Sequence, residues 1–193
     1  MLALVGLGNP SLNHKKNRHN VGFMFIDYIV RQNELGSFQK KFDSLIIQTK
    51  ISSKTVLFIK PQTFMNRSGI AIAKIMRFYK LNMNNVIIFH DDLDINLGIV
   101  KTKIGGGNGG HNGLKSIDEN IGKNYRRIRI GIDHPGKKEL VNKHVLGNFK
   151  NAEDIIIKSL IKNFTLQLEN FIEYFNNSES IDLPSKIKLI ETK

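Results

Sequence analysis

Leu2-Ala3-Leu4-Val5-Gly6-Leu7, running into Gly8-Asn9-Pro10, opens the chain with a near-continuous apolar run that stops at a turn signal. A half-exposed strand would alternate apolar and polar residues, so a run apolar throughout reads as a strand buried on both faces, as at the centre of a parallel sheet. Val86-Ile87-Ile88-Phe89 repeats the pattern and ends at His90-Asp91-Asp92. Between the two lies a predicted helix over Asn20–Gln32, with Val21, Phe25, Tyr28 and Ile29 at helical spacing. Strands follow over Ser44–Lys50 and Lys54–Lys60, the second stopped by Pro61, and then a helix from about Ser68. Downstream the pattern gives a strand at Gly98–Lys103, a short helix at Gly113–Ile121 and a strand at Arg127–Ile132. One long amphipathic helix is expected over Asn151–Phe175, with Ile155, Leu160, Phe164, Leu168, Phe171 and Phe175 as its apolar stripe, before a polar tail from about Asn176 that should fray. Strands alternating with helices predict an α/β fold: a single domain over residues 1–193 with a central mixed, mostly parallel twisted sheet flanked by helices. Ligands of such sheets bind beyond the carboxyl ends of the strands, where Asn9 and Asp91 both fall.

Composition narrows the chemistry. There are no cysteines, which excludes disulfides, thiolate nucleophiles and Cys-ligated zinc or iron–sulfur centres. The apolar start is too short and lacks the basic flank of a signal peptide, and no later stretch stays apolar long enough to span a bilayer, so a soluble cytoplasmic protein is expected. The net charge of +12 favours a polyanionic partner, since each cation that neutralises a phosphate releases counterions; an abundance of Lys alongside Asn and Ile can also arise without function.

Four segments carry chemistry. In Arg18-His19-Asn20 a histidine stands just before a helix, where the dipole disfavours imidazolium and helps keep a base neutral; helix capping is the plainer alternative. In His90-Asp91-Asp92-Leu93-Asp94, at a buried strand tip, a carboxylate can fix the tautomer of an imidazole. The same cluster could hold a divalent metal, although alternation points Asp91 and Asp92 to opposite sides; Asp92 and Asp94 read as a solvated turn. The segment from Lys103 through Gly105-Gly106-Gly107-Asn108-Gly109-Gly110-His111-Asn112-Gly113 is either a phosphate cradle or a mobile gate, and His111 and Asn112 could donate to a carbonyl or ribose. It lacks the Gly-Lys-Ser/Thr ending of a Walker A loop and does not join the first strand to the first helix, as a dinucleotide-binding fingerprint must. Pro61-Gln62-Thr63-Phe64-Met65-Asn66 sets an aromatic, a thioether and an amide on one loop, with Phe64 in the core and Asn66 as a helix cap as the plainer readings.

In this order, Gly-Asn-Pro with Arg-His-Asn, Thr-Phe-Met-Asn, His-Asp-Asp-Leu-Asp, Gly-Gly-His-Asn-Gly-Leu and Arg-Ile-Arg-Ile-Gly-Ile together resemble the bacterial peptidyl-tRNA hydrolase family. The resemblance reaches through a lid-like segment at about 134–149 that includes Val145-Leu146-Gly147, and thins in the last helix. It implies hydrolysis of the ester joining a peptide to the terminal ribose of tRNA, without cofactor or metal, by a cytoplasmic monomer. His19 would be the general base and Asp91 its partner. Asn9, Asn66, Asn112 and Phe64 would bind the substrate. Lys103 and Arg129 would meet a tRNA phosphate, with Lys101, Arg126 and Arg127 adding unspecific attraction.

The sequence departs from the family pattern at several points. Ser11 and Asn17 stand where Gly and Thr are usual. His14 stands where Tyr is, as a substrate-binding candidate that can still stack. Asp92 replaces Glu, and Asn108 replaces a frequent His. Two rival readings compete: a non-catalytic RNA-binding relative, which should have lost the catalytic set, and a metal-dependent nuclease or phosphoesterase built on Asp91, Asp92 and Asp94.

Overall fold

In the computed structural model, which describes residues 1–177, the opening run is β1 (Leu2–Gly6), and every one of its residues is buried. Its side chains alternate between two cores, with Leu2 and Leu4 on one side and Ala3, Val5 and Leu7 on the other. Helix α1 (Val21–Gln32) covers the first, filling it with Phe25, Ile26 and Ile29. After α1 the chain forms an antiparallel meander, β2 (Gln39–Lys41), β3 (Ser44–Ile51) and β4 (Lys54–Pro61), and β4 pairs parallel with β1. Helix α2 (Ser68–Tyr79) then crosses the opposite face and covers the second core with Ile72 and Ile75, before β5 (Val86–Asp92) joins the other side of β1. Strand β6 (Val100–Ile104), helix α3 (Asn112–Ile121) and strand β7 (Arg126–Gly131) complete a seven-stranded sheet in the order β2-β3-β4-β1-β5-β7-β6. Its centre, β4-β1-β5-β7, is parallel and its edges are antiparallel. This is the expected single α/β domain with a mixed sheet, its parallel part confined to the centre.

The chain runs from β1 to one side of the sheet and later returns to the other, so the loops after β1 and β5 part at β1 and leave a crevice between them. Two glycines press α1 against that point. A Cβ at Gly6 would lie 2.3 Å from the Gly22 carbonyl oxygen, and one at Gly22 would lie 2.4 Å from the Leu7 nitrogen. No other residue allows the helix start to sit so close to the strand end, and the turn before α1 carries His19.

One strand is added and two expectations are corrected. Strand β2 has three exposed polar residues and joins β3 through Phe42-Asp43, both at φ +52°, so neither apolar alternation nor a glycine marks the hairpin. The long C-terminal helix is two, α5 (Asn151–Leu166) and α6 (Leu168–Asn177), broken at Gln167. Near the break Thr165 Oγ1 donates to the Ile161 carbonyl at 2.8 Å and Gln167 N–H donates to Phe164 at 3.0 Å, a back-bond and a tightened turn that bend the axis. Ile155, expected in the buried stripe, is 69 % exposed, and Ile157 and Ile161 take that role. The tail lies outside the described residues beyond Asn177, to which α6 continues.

Candidate active site

His19 sits in a single 3-10 turn, Arg18–Asn20, that leads into α1. It is not the cap, since α1 is preceded by Asn20, whose side chain is committed elsewhere. The Asn20 amide grips the backbone of Asn9, accepting from its N–H at 2.8 Å and donating to its carbonyl at 2.9 Å. This clamp ties the loop after β1 to the histidine turn. The Asn9 side chain in turn accepts from the Met65 N–H at 2.9 Å. A backbone N–H can meet only the oxygen of that amide, so the Asn9 NH2 group remains for the cavity that Asn9 lines.

Strand alternation sends Asp91 toward the α1 side, where its carboxylate takes two imidazoles. His19 Nδ1 lies 2.9 Å from each of its oxygens, and His111 Nε2 lies 3.0 Å from Oδ1. Hydrogen bonding assigns the tautomers. His111 Nδ1 accepts from the N–H groups of Gly113 and Leu114, at 3.1 and 3.3 Å, so its proton is on Nε2 and points at Asp91. His19 donates from Nδ1, which leaves the lone pair of Nε2 toward the cavity that its ring lines. Asp91 is 3 % exposed. Burial pushes its carboxyl pKa up, but the charges of His19 and His111 and their hydrogen bonds more than reverse this, holding it well below the usual carboxylate range. Burial pulls the His19 pKa down, and the Asp91 charge and hydrogen bond outweigh burial, so it ends above its ordinary value.

His90, beside Asp91, faces the other side of β5. Its Nδ1 donates to the Asp91 carbonyl at 2.7 Å, and its ring lies edge-on to His111. Burial first, and the charge of His111 second, push its pKa down to about 3, so His90 stays neutral.

A cavity of about 470 Å³ opens over His19. Asn9, Asn66 and Asn112 line it, as do Phe64 and Met65, with Asn142, Val145 and Leu146 as the far wall. Phe64 is 61 % exposed rather than in the core, and Asn66 does not cap α2, which is preceded by Arg67. The far wall belongs to the lid-like segment, whose α4 (Val141–Val145) is anchored by Arg18. The Arg18 guanidinium donates to the carbonyls of His144 and Asn148, pairs with Glu153 at 2.6 Å and lies over the Phe149 ring. His14 is not among the lining residues; it lies on the neighbouring turn Leu12–His14, with its Nδ1 enclosed and without a hydrogen-bond partner.

The basic strands differ from expectation. Lys103 is exposed on β6 and opposite Arg127 in the sheet. Arg129 is half-buried, and its Nε donates to Asp92 Oδ2 at 2.7 Å, so Asp92 is an ion-pair partner and not part of a solvated turn. Arg126 and Arg127 are buried, so any attraction they exert acts through the field and not by contact with a phosphate. Arg127 instead holds the glycine loop, donating to the carbonyls of Gly106 and Gly107 at 2.5 and 2.8 Å. The metal cluster weighed from the sequence does not form either, since Asp92 pairs with Arg129 and Asp94 is exposed. Among the described residues, the His/Asp/Glu groups close enough to share an ion are His19, Asp91 and His111, which are hydrogen-bonded to one another.

Sequence reasoning missed three supports: His111 as second partner of Asp91, Asn20 as clamp of Asn9, and Arg18 as anchor of the lid-like segment. Arg18 and Asn20 flank His19 in sequence, which was the only local signal for them.

Similarity to known proteins points to one family. The family model described as peptidyl-tRNA hydrolase matches residues 3–185. A peptidyl-tRNA hydrolase of Sinorhizobium fredii is 50% identical over 83% of this chain and 67% of its own length. One of Chelativorans sp. is 44% identical over 99% of this chain and 82% of its own. The crystal structure of peptidyl-tRNA hydrolase from Acinetobacter baumannii superposes with a TM-score of 0.86 at 35% identity, covering 91% of this chain and 90% of that one.

Proposed function

The chain belongs to the peptidyl-tRNA hydrolase family, and from that premise we propose how its residues cleave the ester of peptidyl-tRNA. The observation that carries the reading is the Asp91 carboxylate 2.9 Å from His19 Nδ1: with Nδ1 donating there, the one basic nitrogen left is Nε2, beside the cavity. Nε2 takes a proton from a water as its oxygen bonds to the ester carbonyl carbon, and the electron pair of the C=O moves onto oxygen. Collapse of that oxyanion breaks the bond to the ribose oxygen, which receives the proton back from Nε2. Water is consumed, a free tRNA 3′ end is released, and the peptide acid leaves as a carboxylate after losing its proton to solvent. General-base action of this kind is worth roughly 10²–10⁴-fold. Amide donors from Asn9, Asn66 and Asn112 face the developing oxyanion and the peptide backbone. An amide offers both donor and acceptor without reading side chains, which suits a substrate of any sequence.

Phe64 packs on the substrate at the rim of the cavity, and Lys103 and Arg129 meet a tRNA phosphate at the β7–β6 edge. The segment 134–149 acts as the lid. No helix among the described residues is long and apolar enough to cross a membrane. The reaction places the enzyme in the cytoplasm, where translation supplies its substrate and tRNA is recycled. As the sequence resemblance implies, the enzyme works as a monomer.

The test is release of amino acid from an N-blocked aminoacyl-tRNA and from its unblocked counterpart, with and without chelator. Release from the blocked form alone, unaffected by chelator, is expected. Release from neither would sink the activity, and loss on chelation would turn His19, Asp91 and His111 into metal ligands.

A further inference from the structure

A second and larger cleft, of about 680 Å³, lies on the other side of Asn9, which lines both cavities. Asn20 also lines it, so the Asn9–Asn20 amide clamp stands between the two. Its walls come from the loop after β1, from α1, from the start of α5 and from the β3–β4 side of the sheet. Nothing in the hydrolytic mechanism uses it.

Its lining is mixed. Phe23, Met24, Tyr28, Ile157 and Ile161 give it apolar surface, and Leu12, 87 % exposed, stands at its rim. Lys60, only 9 % exposed, is paired with Asp27 and packed 4.5 Å from the Phe38 ring, and Lys158 pairs with Asp154 at 2.6 Å. Lys15, Lys16 and Arg31 have no carboxylate partner among the described residues, so the cleft carries an excess of positive charge.

Strand order decides which end of the substrate meets this cleft. The ester is placed at β1 and β5, and the basic residues assigned to tRNA lie at the β7–β6 edge, on one side of that point. The cleft lies on the other side, beyond β1 toward β4 and β3. An ester joins one polymer to another, so with the RNA on one side the peptide leaves on the opposite side. We propose that the second cleft receives the peptide residues upstream of the ester and favours acidic over basic side chains there. The proposal rests on the reading of the active site above. A peptide fits better than RNA because the apolar surface of Phe23, Met24, Tyr28, Ile157 and Ile161 suits the mixed side chains of a peptide, whereas a phosphate backbone would use only the charge.

The test compares kcat/KM on three substrates: tRNA carrying one N-acetylated residue, an N-acetylated acidic tetrapeptide, and a basic one. In the wild type the acidic tetrapeptide should exceed the single residue by roughly tenfold, as expected for filling one good subsite. The basic one should trail the acidic several-fold at low salt, and less at high salt. The double variant Lys15→Glu/Lys16→Glu, at exposed positions, should invert the acidic–basic order and leave the single-residue substrate within about twofold. Leu12→Ala should lower both tetrapeptide rates and spare the single residue. Equal rates on all three substrates would overturn the proposal. So would a loss shared by all three in the double variant with weaker binding of deacylated tRNA, which would make the cleft an RNA site. If no substrate is hydrolysed at all, the active-site reading fails, and the cleft is judged by titrating the free acidic tetrapeptide. Binding weakened several-fold in the double variant sustains the proposal, and no binding overturns it.

Discussion

Asp91 and Asp92 are neighbours at the tip of β5, and their side chains leave the sheet in opposite directions. On one side Asp91 is sealed between two imidazoles, ionised because both donate to it. On the other, Asp92 is a half-buried counter-ion to Arg129 on a basic strand pair. Desolvation makes the first pairing costly to break, because losing either partner leaves a buried charge or a mis-set tautomer. The second retains access to water, so its worth is smaller and depends on salt. On the proposed function, one side of the strand tip is assigned to the chemistry and the other to holding the nucleic acid.

The sharpest way to break this division is His19→Ala. Turnover should fall about 10³–10⁴-fold while tRNA binding stays within a few-fold, read by single-turnover release and by filter binding. A variant that kept most of its rate would remove His19 as the base. Asp91→Asn should cost less in rate, about a hundredfold or more, because the oxyanion donors and His19 itself remain. It should also move the pH profile. In the wild type the rate rises as His19 loses its proton, and since its pKa is raised above 6.5, the acid limb should lie above that value. Without the carboxylate, burial alone acts on the ring and the limb should shift to lower pH. Stability has the opposite sign. The raised His19 pKa contributes stability that is present below 6.5 and lost as pH rises through the folded value. The lowered Asp91 pKa contributes stability that is present above 3.8 and lost as pH falls through its folded value. The melting temperature should therefore decline as activity climbs, and that slope should vanish in His19→Ala.

How much of this the sequence discloses follows from the range of each interaction. Strands β1 and β5 are legible because double burial writes itself as an unbroken apolar run, and Asp91 because it stands at the end of one; His19, whose own segment reads as well as a helix cap, is singled out by the family resemblance. Strand β2 was hidden, since three exposed residues leave no periodicity and only pairing with β3 defines them. The inward turn of Arg126 and Arg127 was hidden too: a strand of alternating Arg and Ile suggests a basic face, and nothing local says that the glycine loop folds back over Arg127. His111 was read as a donor to substrate, because its partner Asp91 is twenty residues away in sequence and met only through α3. The Asn9–Asn20 clamp left no signal beyond two asparagines, because it is a product of Gly6 and Gly22 letting strand and helix touch.

On the Asp92 side the effects are smaller. Lys103→Ala should raise KM for tRNA several-fold, leave kcat unchanged, and flatten the slope of log affinity against log salt by somewhat less than one, as for loss of one phosphate contact. A fall in kcat with no change in slope would place Lys103 with the chemistry instead.

The smallest change is expected from Asp92→Asn, and its sign carries the information. Asparagine retains an oxygen that can accept from Arg129 Nε, so the guanidinium keeps its place while a negative charge leaves the basic edge. An exposed, water-screened charge pair is worth about 1 kcal/mol or less. KM should accordingly fall about two- to fivefold at low salt, with the difference closing as salt rises and kcat unaltered. If KM rises instead, Asp92 acts chiefly by aiming Arg129, and Asp92→Ala, which gives up the acceptor as well as the charge, should then be worse than Asp92→Asn. A change in kcat or in the pH of the acid limb would mean that the two sides of β5 are coupled through the backbone between Asp91 and Asp92.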